Sequence, residues 1–281
     1  MFKCLVLTLA ALCLGGCSMF AEDADPALWV VEDEDTTIYL FGTVHVLQPR
    51  TQWFDDGVRE AFDASDELVT EIAKPDPAAI AALAARLGAR GGPPFPAKVD
   101  AAAQKLGMAR GEIDRLEPWL AALTLSQLAV AKAGYAADAG VEATLHDAAA
   151  DAGKRVYALE TAESQLMLFD TLSGAAQSAM LDATVKDLPE AGKRTARFVH
   201  AWGAGDAETV GAEMNRAMEA SPEIAQALVT RRNAHWADWV VRRMQQPGTV
   251  FMAVGAGHLA GKNSVQAMLA EKGLKVERVA Y

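Results

Sequence analysis

Two segments near opposite ends of the chain each carry an apolar run into Gly-x-x-His. They are Ile38-Tyr39-Leu40-Phe41-Gly42-Thr43-Val44-His45 and Phe251-Met252-Ala253-Val254-Gly255-Ala256-Gly257-His258. Such runs, rich in β-branched and aromatic residues, read as buried strands, and the glycine marks a sharp turn or a close approach. Each histidine then falls just past the carboxyl end of its strand, where open α/β sheets place their ligands. Two glutamates share that position, Glu71 at the end of the run 67–72 and Glu160 at the end of the run 155–159. A carboxylate or imidazole at the end of a buried strand must be hydrogen-bonded, metal-bound or open to a solvated cleft, because bare burial is costly. Two imidazoles and two carboxylates on one edge can hold a divalent metal and activate its water. The same four can work without metal, histidine serving as general base and glutamate orienting it. Spacing leaves both chemistries open, since the chain has neither a His-Glu-x-x-His helix nor a cysteine cluster.

The elements that must position these residues follow from the pattern. Runs at 27–32 and 36–41 flank Asp33-Glu34-Asp35 and read as an antiparallel hairpin with a charged turn. Helical spacing covers 53–64, and Asp76-Pro77 supplies a cap followed by proline at the first helical position, opening a helix to about Leu87. Residues 97–134 carry more helix, with Pro118-Trp119 starting its longest piece; Gly140-Val141 precede another, which Gly153 ends. Residues 161–246 read as helix throughout, closing with a long one at 222–245. There Arg232 and Trp236 are four apart and put a cation and a ring on one face. Pro247-Gly248 turns the chain into the strand 249–254, followed by a helix at 263–272 and a last strand at 275–280. The result is one α/β domain of mixed α+β type: a central mixed sheet built from both chain ends and the middle, flanked by helices, with helical insertions. His146, His200 and His235 sit in these helices and read as structural.

The chain has 281 residues, 51% of them hydrophobic, and a formal net charge of −11. That length supports a sizeable core, and the acidic balance argues against nucleic acid as a partner. The three cysteines fall at positions 4, 13 and 17, so the folded part has no disulfide, no zinc-thiolate site and no cysteine nucleophile. Residues 1–16 have the short basic start, apolar stretch and small-residue end of a signal peptide. Leu14-Gly15-Gly16-Cys17 resembles a bacterial lipobox, which implies cleavage before Cys17 and acylation of that cysteine. Residues 17–26 are then a lipidated tether and 27–281 the domain. The expected location is the cell envelope, lipid-anchored and facing the periplasm, with Ser18 after the cysteine resembling an outer-membrane sorting signal.

Taken together, the motifs resemble those of the TraB/GumN family, whose relatives include pheromone-shutdown proteins and Tiki-type membrane proteases. The resemblance rests on Tyr39-Leu40-Phe41-Gly42-Thr43-Val44-His45, the strand carrying Glu71, Pro118-Trp119, Leu159-Glu160-Thr161, Arg232-Asn233 and Val254-Gly255-Ala256-Gly257-His258-Leu259-Ala260-Gly261. It implies a fold like that of erythromycin-esterase and haem-binding ChaN-like proteins. It also implies a divalent metal (Mn, Co or Zn) at His45 and His258, with Glu71 as the needed acid. Glu160 and Arg232 would line the same pocket, Arg232 facing an oxyanion or carboxylate, and the esterase-like relatives imply a histidine base without metal. One departure is Glu142, where the family usually has Asp after Gly140-Val141, and it is left outside the expected site. The expected activity is hydrolysis of a peptide or ester bond in a peptide or small-molecule substrate. The alternative is a non-catalytic protein that binds or sequesters a peptide, haem or polysaccharide precursor in the same cleft.

Overall fold

The computed structural model describes residues 23–281 apart from Pro75, Glu219 and Ala220. The expected signal peptide and the Cys17 lipidation site lie outside the described residues. Six strands form one sheet: β1 Leu28–Glu32, β2 Thr36–Thr43, β3 Glu67–Thr70, β4 Arg155–Ala158, β5 Gly248–Gly255 and β6 Glu277–Arg278. Their order is β4-β3-β5-β2-β1-β6. The chain starts with the expected hairpin, β1 antiparallel to β2 with Leu28 opposite Phe41. Asp33 closes its turn, its Oδ1 accepting from the backbone N–H of Asp35 and Thr36.

The four strands β4, β3, β5 and β2 run parallel. Their carboxyl ends therefore lie along one edge, although the residues there come from four distant places in the chain. β2 and β5 are central and read as continuous apolar runs because both faces are covered. On one face Phe41, Leu68 and Phe251 pack with Trp53, Phe62 and Trp202; on the other Leu40, Val69 and Met252 pack with Trp236, Val240 and Leu269. That division follows the two-residue period of a strand. β4 departs from the expected buried strand: all four of its residues are exposed, because it is the outer strand of the sheet. The last strand is also shorter than expected, with only Glu277 and Arg278 paired to β1.

The helical insertions fall where the sequence places them. Pro77–Leu87, Ala97–Lys105, Pro118–Lys132 and Val141–Asp151 lie between β3 and β4; Ala162–Asp170, Gly174–Asp187, Ala191–Gly203 and Ala207–Met218 follow β4. Asp76 caps its helix by accepting from Ala78 N, with Pro77 at the first position. Part of the first insertion has its own core, where Val99, Ile113, Ala121 and Leu125 meet Leu181 of the second. The helix expected over 222–245 is not uniform. Pro222–Ala225 is followed by a π-helical turn, Gln226–Thr230, before regular helix resumes at Arg231–Arg243. At the amino-terminal side, part of the expected tether is tied down: Ala24 N donates to Gln52 O and Asp25 N to Gly203 O.

The inner sheet and the second insertion are joined by a buried bond from Trp202 Nε1 to Gly42 O, 2.8 Å long. A β carbon on Gly42 would fall 3.0 Å from Ala256 Cα, so the first motif needs glycine where it meets the second. Trp202→Phe keeps most of the packing and leaves that carbonyl unpaired. The expected loss is about 1–3 kcal/mol of stability, read from urea unfolding of both proteins.

Candidate functional site

Each parallel strand delivers one part of the site. Thr43 ends β2 and His45 follows it; Glu71 follows β3; Glu160 follows β4 by one more residue; Gly255 ends β5 and leads into the 3-10 turn Ala256–Leu259 with His258. The β3–β4 ladder runs on past the strands, with Leu159 N donating to Thr70 O and Glu160 N to Glu71 O, which keeps the two glutamates side by side. Arg232 comes from a helix, in the first turn after the π-helical segment.

Arg232 ties these pieces together. Its Nε donates to Glu160 Oε1 at 2.8 Å, and its Nη2 to Glu71 Oε2 at 2.5 Å and to Glu160 Oε2 at 2.9 Å. Its Nη1 donates to Leu228 O at 3.2 Å and meets His258 Nε2 at 3.0 Å. All five N–H groups of the guanidinium are thus engaged. Gln165 Nε2 donates to both Glu71 and Glu160, and Gly255 N to Glu71 Oε1 at 2.7 Å. Trp236, one turn along, lies under the guanidinium at 4.6 Å and against the His258 ring at 4.5 Å, as its spacing from Arg232 anticipates.

The protonation states follow from these partners. Asn233 Nδ2 donates to Asn263 O, so its Oδ1 is an acceptor, and His258 Nδ1 lies 2.6 Å from it. Nδ1 therefore carries the hydrogen and Nε2 the lone pair that faces Arg232. Burial pushes the His258 pKa down to about 4, which keeps the ring neutral. Burial opposes ionisation of Glu71, but Arg232, the histidines and the Gly255 N–H outweigh it and hold that carboxyl at about 2.

His45 has a different partner. Its Nδ1 lies 2.6 Å from Glu142 Oε1, and the same oxygen accepts from Thr43 Oγ1 at 2.6 Å. The charge of Glu142, with this hydrogen bond, pushes His45 up to about 9, and the same pairing lowers Glu142 against the opposing effect of burial. The ring is enclosed by the cleft walls, yet its surface is 71% exposed to the water in the cleft. Water there screens the pair, so it adds little to the stability of the fold.

Sequence reasoning left Glu142 out, and the structure brings it in. A β carbon on Gly140 would overlap the His45 carbonyl oxygen, and Val141 N donates to Val44 O at 3.0 Å. The signal was Gly140-Val141 followed by an acid at the start of a helix. Glycine permits the close approach, and the first helical turn aims the acid back at the strand end. Asn233 stands in the Arg232-Asn233 motif that carries the family resemblance, whereas Gln165, on a capped helix, had no such signal. His146 is buried on the Glu142 helix, while His235 is exposed.

A cleft of about 550 Å³ opens over this edge, lined by His45, Glu71, Arg232 and His258 among others. Glu160 stands behind Arg232, bonded to it and to Gln165. Among the described residues no group of three or more His, Cys, Asp or Glu is disposed to hold a metal ion. Of the expected ligands, His258 Nε2 and Glu71 Oε2 are engaged with one guanidinium, while His45 is tied through Nδ1 alone, to Glu142. A cation between His258 and Glu71 does not fit this arrangement unless Arg232 moves.

A mixed α/β sheet with an ionisable network at the carboxyl ends of its parallel strands, opening into a cleft, places the candidate site where proteins of the α/β class hold their ligands. The particular family is shown by its profile: the chain belongs to the TraB/PrgY/gumN family, matched over residues 27–278. It is similar to an uncharacterized protein of Treponema pallidum (strain Nichols), 23% identical over 303 residues that cover 94% of this chain and 88% of that one. No solved structure matches the chain.

The buried network makes stability pH-dependent in a defined sense. The unfolded chain binds a proton at His258 near 6.5, while the folded one resists until about 4, so stability falls as pH drops through that range. Glu71 contributes stability above about 4.5 that is lost as pH falls toward 2. Glu71→Gln breaks a buried ion pair and is expected to cost about 3–5 kcal/mol near pH 7. That deficit should narrow as pH falls from 4.5 to 2, where the unfolded wild-type chain takes up a proton that the folded carboxylate still resists; urea midpoints across pH measure both.

Proposed function

We propose that this protein is a cell-envelope hydrolase of ester or amide bonds, in which His45 moves the proton and Glu142 orients it. The observation that carries this reading is the 2.6 Å carboxylate–imidazole pair opening onto the cleft. With Nδ1 held by Glu142, Nε2 is the ring's reactive nitrogen. In the neutral state it takes a proton from water as the water oxygen bonds to the substrate carbonyl carbon and the C=O π pair moves to oxygen. His45 then returns that proton to the departing alcohol or amine as the carbon–oxygen or carbon–nitrogen bond breaks, leaving an acid. Glu142 stays ionised and stabilises the imidazolium between these steps. Arg232 keeps Glu71 and His258 fixed beside the carbonyl, with Glu160 behind it. Because its donors are engaged, it acts on a developing oxyanion through its charge, and a direct bond requires exchange of one existing partner.

This mechanism needs neutral His45, so kcat/KM should rise with pH and level off at an apparent pKa above 6.5, toward about 9. Glu142→Gln removes the charge that holds the proton and should bring that value down toward the ordinary histidine range. His45→Ala should lower the rate by about 10²–10⁴-fold. A pH profile unchanged by Glu142→Gln would remove Glu142 from the mechanism. The metal implied by resemblance is tested separately: chelator-treated protein should keep its His45-dependent hydrolysis. If Mn, Co or Zn restores lost activity, and His45→Ala and His258→Ala abolish the metal's thermal shift, the metal-dependent version replaces this one.

The anchoring reading belongs to the same proposal. Cys17→Ala should move the protein from the membrane fraction to the soluble one, measured by fractionation of cells expressing each form. Among the described residues no helix is long and apolar enough to cross a membrane.

A second reading, a non-catalytic binding cleft, is favoured by one observation: every N–H of Arg232 already has a protein partner. A haem Soret band lost in His45→Ala, without hydrolysis of any ester or amide, would decide for it.

A further inference from the structure

The cleft is much larger than its ionisable floor requires, and the two parts differ in chemistry. Beyond His45 and His258 its wall is mainly apolar, formed by side chains such as Val130, Met180, Leu188, Phe198, Met214 and Leu228. Most of these residues come from helices, namely Pro118–Lys132, Gly174–Asp187, Ala191–Gly203 and Ala207–Met218. Met214 packs directly on Gly257 of the second Gly-x-x-His motif, so the apolar wall begins where the ionisable floor ends. Methionine side chains adapt to a flexible apolar ligand better than branched ones.

From this we infer that the cleft takes an uncharged ester or amide bearing an unbranched apolar acyl chain, with the chain along the helical wall and the carbonyl at the His45 end. The inference rests on the reading of that end as the place where a carbonyl reacts. Two features separate this ligand from its competitors. The first is charge. At the floor and directly behind it lie three carboxylates, Glu71 on the cleft surface with Glu142 and Glu160 behind, against two cations, Arg232 and protonated His45. Both cations are already paired, so a ligand carboxylate or phosphate meets a floor with net negative charge. The arginines on the wall are paired as well, Arg194 with Asp187 and Arg216 with Glu213.

The second feature is hydrogen bonding. An apolar peptide would match the wall's hydrophobicity but would bring an amide N–H and C=O at every residue. The backbone of a helix interior spends its own groups on itself, and a wall of helices offers no strand edge to pair with. The few neutral polar side chains on the wall are Ser126, Thr184 and Thr195. A peptide would therefore leave amides without partners in the cleft, which is costly, whereas a methylene chain has none to satisfy.

Two measurements on the folded wild-type protein test this. Hydrolysis of p-nitrophenyl esters from acetate to decanoate should show kcat/KM rising by about four-fold per methylene until the wall is filled. Binding of n-alkanamides over the same lengths, followed by calorimetry, should show the same increment in affinity. Octanamide should bind more tightly than octanoate and more tightly than acetyl-Leu-Leu-amide. Met180→Trp, or Thr184→Trp one turn further along the same helix, should lower the decanoate-to-butyrate ratio by narrowing the far end. Alkanamide binding independent of chain length, or tighter binding of the peptide or of the carboxylate, would overturn the inference. Length-dependent binding without any ester hydrolysis would support the chain-binding cleft and defeat the hydrolase reading, so the two fail separately.

Discussion

One guanidinium holds this site together. Arg232 is largely buried between two carboxylates and an imidazole, and its planar fork fixes all three partners at once. Without the cation, Glu71 and Glu160 would be two like charges at adjacent strand ends, and the ladder that brings them together would work against itself. Without the carboxylates, a buried arginine would be uncompensated. The network therefore joins the ends of β3 and β4, the 3-10 turn after β5 and the Arg231–Arg243 helix into one unit. The π-helical turn just before Arg232 belongs to the same unit, since Leu228 within it gives its carbonyl to the guanidinium.

Parallel strands explain why the unit forms on this edge. Four strands aligned in one direction end together, so a short polar addition to each makes a dense group out of residues far apart in the chain. The two histidines, which the sequence presents as copies, end in opposite electrostatic states. His45 faces one carboxylate in a wet cleft and is held protonated, whereas His258 is buried beside a cation and an asparagine and is held neutral.

Much of this was legible in the chain because its signals are local. The hairpin, the Asp76-Pro77 cap, the strand preceding each histidine and the Arg232–Trp236 face all follow from two-residue or 3.6-residue periods and from turn residues. The expected site residues do gather at one edge, with Glu160 set behind Arg232 and not on the cleft surface. β4 is exposed where its pattern suggests burial, because a run such as Arg155-Val156-Tyr157-Ala158-Leu159 looks the same at the centre of a sheet and at its margin. Whether neighbours cover it is not written in the run.

What the sequence determined by itself is the set of elements and which residues end the strands, since hydrophobic periodicity, caps and glycines act within a few residues of one another. What only the tertiary structure decided is who pairs with whom: Glu142 with His45, Asn233 with His258, and every N–H of Arg232. Apart from the Leu228 carbonyl, those choices depend on distances and burial between residues 25 to 161 positions apart, and a charge takes its meaning from the group it faces. The same imidazole can be a metal ligand, a base or a cation, and the partner beside it in the folded chain is what selects among them.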